Sequence, residues 1–316
     1  MSAAPGRPQA SSHRSAQHEG IPVLAAPGRP QASSHRSAQH EGTPVSPPVL
    51  LSARQAGKAF VHQGQPRWAC RDVSFDLYPG EVLAVVGESG SGKSTLLRLL
   101  AARHACDEGS VHYDVRAESG EASRDGFSGL VDLAALSEAR LRWLARTDWG
   151  FVEQHARDGL RMNVSGGANV GERLMALGAR HYGHLRSEAS SWMQRVELDT
   201  GRMDDLPATY SGGMQQRLQI ARNLVTHPRL VFMDEPTTGL DVSVQARLLD
   251  LLRELVDELQ LAAVVVTHDL AVARLLAQRM LVMKDGCVVE QGLTDRVLDD
   301  PQHPYTQLLV SSVLTP

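Results

Sequence analysis

"EVLAVVGESGSGKST" runs from Glu81 to Thr95. Its first half is apolar and rich in valine with no polar alternation, which reads as a strand buried on both faces. The run stops at glycine, and a helix is expected from about Lys93 to Arg103. Between strand and helix, Gly87, Glu88, Ser89, Gly90, Ser91, Gly92, Lys93, Ser94 and Thr95 fit the pattern G-x-x-x-x-G-K-[ST]. The chemistry explains the spacing. The glycines let backbone N–H groups turn inward around a phosphate, Lys93 adds a cation, and Ser94 offers a hydroxyl to Mg²⁺. A nucleoside triphosphate is the ligand this implies.

A second strand ends in charge. "LVFMDEP" (Leu230–Pro236) is four apolar residues followed by two acids. In a parallel sheet such a strand delivers both carboxylates to the crevice where ligands bind. Asp234 suits the shell of Mg²⁺, and Glu235 suits a base that orients or deprotonates water. Gln154 after "GFVE" and His268 after "VVVT" end predicted strands at the same sheet edge.

A third stretch, "YSGGMQQR" (Tyr210–Arg217), opens a helix. Met214, Leu218, Ala221 and Val225 fall on one apolar face. Ser211 is a good N-cap, and Gly212 and Gly213 bare the first N–H groups, which makes an anion receptor.

Around these motifs, strands alternate with helices: a half-buried strand at Val73–Leu77, a helix over Leu136–Arg146 and a strand ending at Gln154. Helices over Asn169–Ala179 and Ser187–Val196 have no strand between them, so a helical subdomain is expected at about 155–215. A helix near Val242–Leu259 and strands at Ala262–Thr267, Met280–Lys284 and Cys287–Glu290 follow. The fold class is therefore α/β with a largely parallel sheet. Val115–Phe127 reads as a polar surface loop.

Composition excludes several alternatives. The 316 residues carry a net charge of −4, with no basic footprint for nucleic acid. No apolar run reaches the roughly 18 residues of a membrane span, so any work at a membrane is done through a partner. Cys70, Cys106 and Cys287 are odd in number and widely spaced, which suits free thiols in a reducing cytoplasm.

The first 48 residues have a different character. "AAPGRPQASSHRSAQHEG" occurs at Ala3–Gly20 and again at Ala25–Gly42. It offers almost nothing to bury, and a disordered extension is expected. Its histidines (His13, His18, His35, His40) lack the cysteine or carboxylate support of a strong metal site. No Met lies between Met1 and Met162, so a later start ahead of the globular pattern would need an alternative codon, for instance at Val45 or Val49. The globular pattern runs from Val49 onward.

Taken together, the motifs resemble those of ATP-binding cassette (ABC) ATPases over Val49 to the C-terminus. Ser211–Gln216 matches the family signature, with Met214 in the place usually held by glutamine. "TGLD" (Thr238–Asp241) matches the loop after the acidic strand, Gln154 the lid glutamine, and His268 the switch histidine. Phe60, in "GKAF", matches the aromatic that stacks on adenine, although a core aromatic would also fit there. The resemblance implies a core with an antiparallel β subdomain and an inserted helical subdomain. It also implies MgATP hydrolysis by two cassettes paired head to tail, with Ser211, Gly212, Gly213 and Asp241 completing the partner's site. Catalysis would fall to Glu235, His268 and Gln154, and the metal to Ser94, Gln154 and Asp234.

Within the family, "GGANVGERLMALGARHYG", "DDLPATYSGGMQQRLQIARNLVTHPRLVFMDEPTTGLDVSVQARLLDLL" and "LTDRVLDDPQHPYTQLLVSSVL" resemble the cassettes of bacterial carbon–phosphorus lyase systems. Such systems extract phosphate from phosphonates, and the resemblance implies a soluble ATPase that docks on the lyase core complex and not on a membrane permease. "HPYTQLL" and the signature Met are shared with oligopeptide- and nickel-type importer ATPases, the alternative reading. Cassettes for DNA repair or translation would want a long coiled-coil insertion or a second cassette, and neither is present. Arg142 and Arg146, on the helix before the lid, read either as a solvated basic face or as a grip on acidic side chains of a docked partner.

Overall fold

The computed structural model describes residues 48–62, 64–116 and 128–314. The duplicated segment with its four histidines, and the surface loop from residue 117 to Phe127, lie outside the described residues.

Two sheets organise the chain. The first is antiparallel, in the order β2-β1-β4-β5. It is built from β1 (Leu51–His62), β2 (Gln65–Leu77), β4 (Glu108–Val115) and β5 (Gly129–Asp132). The second has the order β10-β9-β3-β8-β7-β6. Its strands are β3 (Val82–Val86), β6 (Trp149–Val152), β7 (Leu230–Asp234), β8 (Ala262–Thr267), β9 (Arg279–Lys284) and β10 (Cys287–Leu293). All its pairings are parallel except β9 with β10.

β3 lies between β8 and β9 and is buried along its whole length. Its side chains divide by parity. Val82, Ala84 and Val86 join one core, and Leu83 and Val85 the other. β7 and β8 divide in the same way. Both faces of the central sheet are therefore covered, which is why these strands read as unbroken apolar runs. One core is shared with the antiparallel sheet and α1 (Lys93–Leu100), the other with the helices.

The helices hold closely to their sequence signals. α2 (Glu138–Thr147) starts where the Ser137 Oγ accepts from the Arg140 N–H. α3 (Ala156–Gly159), α4 (Gly166–Ala176) and α5 (Tyr182–Arg195) follow β6 with no strand between them. α5 begins five residues before its expected start, because His181 caps it through Nδ1. α1 stops three residues short of Arg103, because Ala102 turns to a φ of 53°. α6 (Gly212–Leu224), α7 (Val242–Leu259), α8 (Leu270–Leu276), α9 (Thr294–Asp299) and α10 (Pro304–Leu314) complete the described chain. Among the described residues no helix is long and apolar enough to cross a membrane.

Candidate active site

The loop between β3 and α1 has little freedom. Gly87 has φ 150°, and a Cβ there would stand 2.2 Å from the Met283 carbonyl oxygen. Gly92 has φ 102°, and its Cβ would stand 2.0 Å from the Ala69 carbonyl oxygen. Only glycine fits a left-handed backbone pressed that closely against neighbouring strands. Gly92 also caps α1 with no side chain, so the first N–H groups of the helix point into the loop.

Lys93 is 5% exposed. Its Nζ donates to the carbonyls of Gly87 and Glu88, each at 2.8 Å. Burial lowers its pKa, although Glu235, Asp234 and Glu88 pull the other way. Beside it, the Ser94 Oγ donates to the Asp234 Oδ1 at 2.8 Å. Asp234 is buried, and that burial raises its pKa. An ammonium and a carboxylate are thus both held where charge is disfavoured. A polyphosphate would favour the first charge and a divalent cation the second. The oxygen donors at hand, a hydroxyl and a carboxylate with the Gln154 amide lining the same cavity, are the hard ligands Mg²⁺ takes.

Glu235 follows directly, with a φ of 46° that a non-glycine residue adopts at a cost. Its N–H donates to the Val266 carbonyl at 2.9 Å. The Glu235 Oε2 accepts from the Thr238 hydroxyl at 3.1 Å and stands 2.7 Å from the His268 Nδ1. The carboxylate accepts, so Nδ1 carries the shared proton.

A cavity of about 1090 Å³ gathers most of these groups, while Asp234 lies just behind its lining and meets it through the bond to Ser94. Gly87, Glu88, Ser89, Gly90, Gly92, Lys93, Ser94, Thr95, Gln154, Glu235 and His268 line it. Phe60 stands at the rim, 43% exposed and edge-on to His104, so it is not a core aromatic. Ser91 is behind the loop rather than in the lining, and its buried Oγ has no partner.

Ser211, Gly212, Gly213 and Asp241 do not reach this cavity within one chain. The Ser211 Oγ caps α6 by accepting from the Met214 N–H. A Cβ on Gly213 would stand 2.5 Å from Val244 of α7, so the two motifs lie against each other on another part of the surface. Of the expected apolar face of α6, Leu218, Ala221 and Val225 are buried and Met214 is partly so.

A family model described as ABC transporter matches residues 70–238. The chain belongs to the ABC family.

It is 65% identical over 254 residues to an Escherichia coli K12 protein named "putative phosphonates utilization ATP-binding protein PhnK". That match covers 80% of this chain and 95% of the relative. A Brucella ovis protein named as a putative peptide import ATP-binding protein is 39% identical over 256 residues, covering 78% of this chain and 72% of that one. Among solved structures, the dimeric ATP-binding cassette MJ0796 in a post-hydrolysis state with ADP and Pi superposes with a TM-score of 0.68. It is 28% identical and covers 78% of this chain and 99% of that one. As an ABC cassette, the chain is an ATPase that uses ATP with Mg²⁺.

Sequence reading of this cassette missed Gln219. Fully buried on α6, it accepts from the Glu153 N–H and donates Nε2 to the Glu153 carbonyl at 3.2 Å. Asn223 repeats the device on the Phe151 N–H at 3.0 Å. The available signal was an amide stripe: Gln216, Gln219 and Asn223 share a helix face and are all buried. Arg142 pairs with Glu138 at 2.8 Å and stays exposed. The carbonyl of Arg146 accepts from Arg173, which ties α2 to α4.

Proposed function

We propose that this cassette is the ATP-hydrolysing subunit of a phosphonate-utilisation system, working in the cytoplasm on the carbon–phosphorus lyase core complex as an ATP-sandwich dimer. The 65% identity to the phosphonates-utilization relative, over nearly all of that protein, carries the reading.

In this reading Lys93 and the backbone of Gly87–Thr95 bind the phosphates, and Phe60 lies against adenine. Ser94, Asp234 and Gln154 would hold Mg²⁺, which would supply neutralising charge for the phosphoryl oxygens. Glu235 takes the proton of the attacking water, with His268 orienting the carboxylate at 2.7 Å. Ser211, Gly212, Gly213 and Asp241 belong to the other subunit's site, in keeping with their place outside this chain's own cavity. Arg142 and Arg146 contact acidic side chains of the lyase complex close to Gln154, so docking and closure around ATP are felt by one another.

The test is co-purification at native expression level from phosphate-starved cells. Lyase subunits should accompany the wild type. Arg142→Glu with Arg146→Glu should lose them, along with growth on phosphonate, while keeping the intrinsic ATPase rate. Recovery of an integral-membrane permease instead would favour peptide import, the function named for the 39% identical relative.

A further inference from the structure

The C-terminal segment "HPYT" (His303–Thr306) lies outside every motif assigned to ATP above. The structure gives each of its first three residues a task. His303 stands at the start of α10, where its Nδ1 accepts from the Tyr305 N–H at 3.1 Å and its carbonyl accepts from Gln307 at 3.0 Å. Pro304 takes the first helical position, where a missing N–H is harmless. Glu290 of β10 accepts from the N–H groups of Gln302 and His303 at 2.8 and 2.9 Å. Burial pushes the Glu290 carboxyl up, but these amides together with Thr306 and the His303 ring outweigh that and lower it. α10 is therefore fastened to the edge of the central sheet at its first turn.

Tyr305, 6% exposed, points from that turn to the phosphate loop. Its hydroxyl oxygen accepts from the Glu88 N–H at 3.0 Å, and its ring packs 5.1 Å from the Lys284 Nζ. The peptide unit involved joins Gly87 to Glu88. Its carbonyl, on Gly87, accepts from the Lys93 Nζ at 2.8 Å. In a trans peptide the C=O and N–H point in opposite directions. One peptide plane at the head of the loop is thus gripped from one side by the phosphate-binding lysine and from the other by the C-terminal helix. One turn further along, Leu309 lines the ATP cavity itself.

We infer that Tyr305 is a positioning residue for the phosphate loop, and that α10 is part of the ATP site. Lys93 cannot hold the Gly87 carbonyl and a triphosphate equally well, so ATP draws it away. The Tyr305 hydroxyl then remains to keep that peptide oriented and the following N–H groups turned inward. Docking of α10 and binding of ATP are linked, and each strengthens the other.

The inference rests on ATP binding at this loop and on no partner, so purified protein tests it and loss of the lyase association leaves it standing. Tyr305→Phe keeps the buried ring and removes only the oxygen. The Kd for ATP, measured calorimetrically in a Glu235→Gln background, should rise about two- to tenfold, the range expected for one net hydrogen bond. In the otherwise wild-type enzyme, KM should rise by a similar factor with kcat within twofold. Leu308→Ala, on the exposed face of the same helix, should change neither. Hydrogen exchange supplies a readout independent of any variant: the Glu88 amide of the ATP-free wild type should exchange at least tenfold more slowly than that of exposed Ser89. An unchanged Kd in Tyr305→Phe, an equal change in Leu308→Ala, or equal exchange at Glu88 and Ser89 would each overturn the inference.

Discussion

Gln219 of α6 holds both backbone polar groups of Glu153, the residue before the lid glutamine. The signature helix and the end of β6 are thereby joined by one side-chain amide, buried with no exposure. A Cβ on Gly159 would stand 2.4 Å from the Gln219 Oε1, so the amide is also confined from α3. The backbone immediately before Gln154 is thus anchored to α6.

Gln219→Leu conserves approximate volume and leaves the Glu153 N–H and C=O without partners. Burying two such groups unsatisfied costs about 1–3 kcal/mol each. Urea unfolding should report a loss of about 2–6 kcal/mol for the pair. ATPase activity should fall further than nucleotide affinity, because the loop around Lys93 is untouched while Gln154 is set free. Equal losses in both would mean that Gln219 serves the fold alone.

Asp234 is expected to cost stability in the ATP-free protein. Burial raises its folded pKa above the unfolded value. Between those two pKa values the native state binds more protons than the unfolded one, so stability falls as pH rises through that window. The penalty is complete above the folded pKa and absent below the unfolded one. Asp234→Asn keeps an oxygen to accept from Ser94 and removes the charge. It should melt higher than wild type at pH 7 by on the order of 1 kcal/mol, with the gain shrinking as pH drops toward 4, and should lose Mg²⁺-dependent hydrolysis. A variant that melts lower at pH 7 would contradict the pKa direction.

How far the sequence revealed this site depended on how local each signal was. The phosphate loop, the acidic strand end and the signature helix were legible because each motif carries its own chemistry within a few residues. Lys93, Asp234 and Glu235 are indeed brought together, since β3 and β7 flank β8 in one parallel sheet. β1 was not legible as a strand. Its register shifts at bulges between Ala53 and Ala59, which destroys the period-two alternation. Gln219 and Tyr305 were not legible as site residues, because each acts on a backbone group more than sixty residues away in sequence. No local pattern records such a partner.

Glu235→Gln separates binding from chemistry. The amide retains shape and an acceptor for Thr238 and His268 but cannot take a proton. General-base catalysis is worth about 10²–10⁴ in rate. Steady-state hydrolysis should fall by that factor while ATP affinity is retained, and the variant should accumulate as an ATP-bound dimer by light scattering. Hydrolysis at the wild-type rate would remove Glu235 as the base.

The cysteines should react in an order set by burial. Burial pushes the Cys70 thiol up to about 11 and raises Cys106 as well, while Cys287 is exposed. At pH 8, a thiol raised from 9.0 to about 11 presents roughly 100-fold less thiolate. Iodoacetamide at pH 8, followed by peptide mass spectrometry, should label Cys287 first and Cys70 only on unfolding. Early modification of Cys70 would mean that β2 opens in the native state.

Lys93 lines the cavity, whereas Ser211 stands at the exposed start of α6 and does not. Ser211→Arg places a bulky cation where the anion-binding N–H groups must approach, and Lys93→Ala removes the cation of the phosphate loop. Either variant alone would carry a lesion in both sites of a head-to-tail dimer. In a mixed dimer the two lesions meet in one composite site, and the other site is intact in both halves. Random mixing makes half of the dimers mixed, so activity should recover to roughly a quarter of wild type if one intact site turns over independently. The measurement is ATPase rate against mixing ratio, which should peak at equal amounts and vanish at either end. A flat line at the level of the single variants, together with no ATP-dependent pairing of Glu235→Gln, would rule out a shared site and require Ser211 to serve the nucleotide of its own chain.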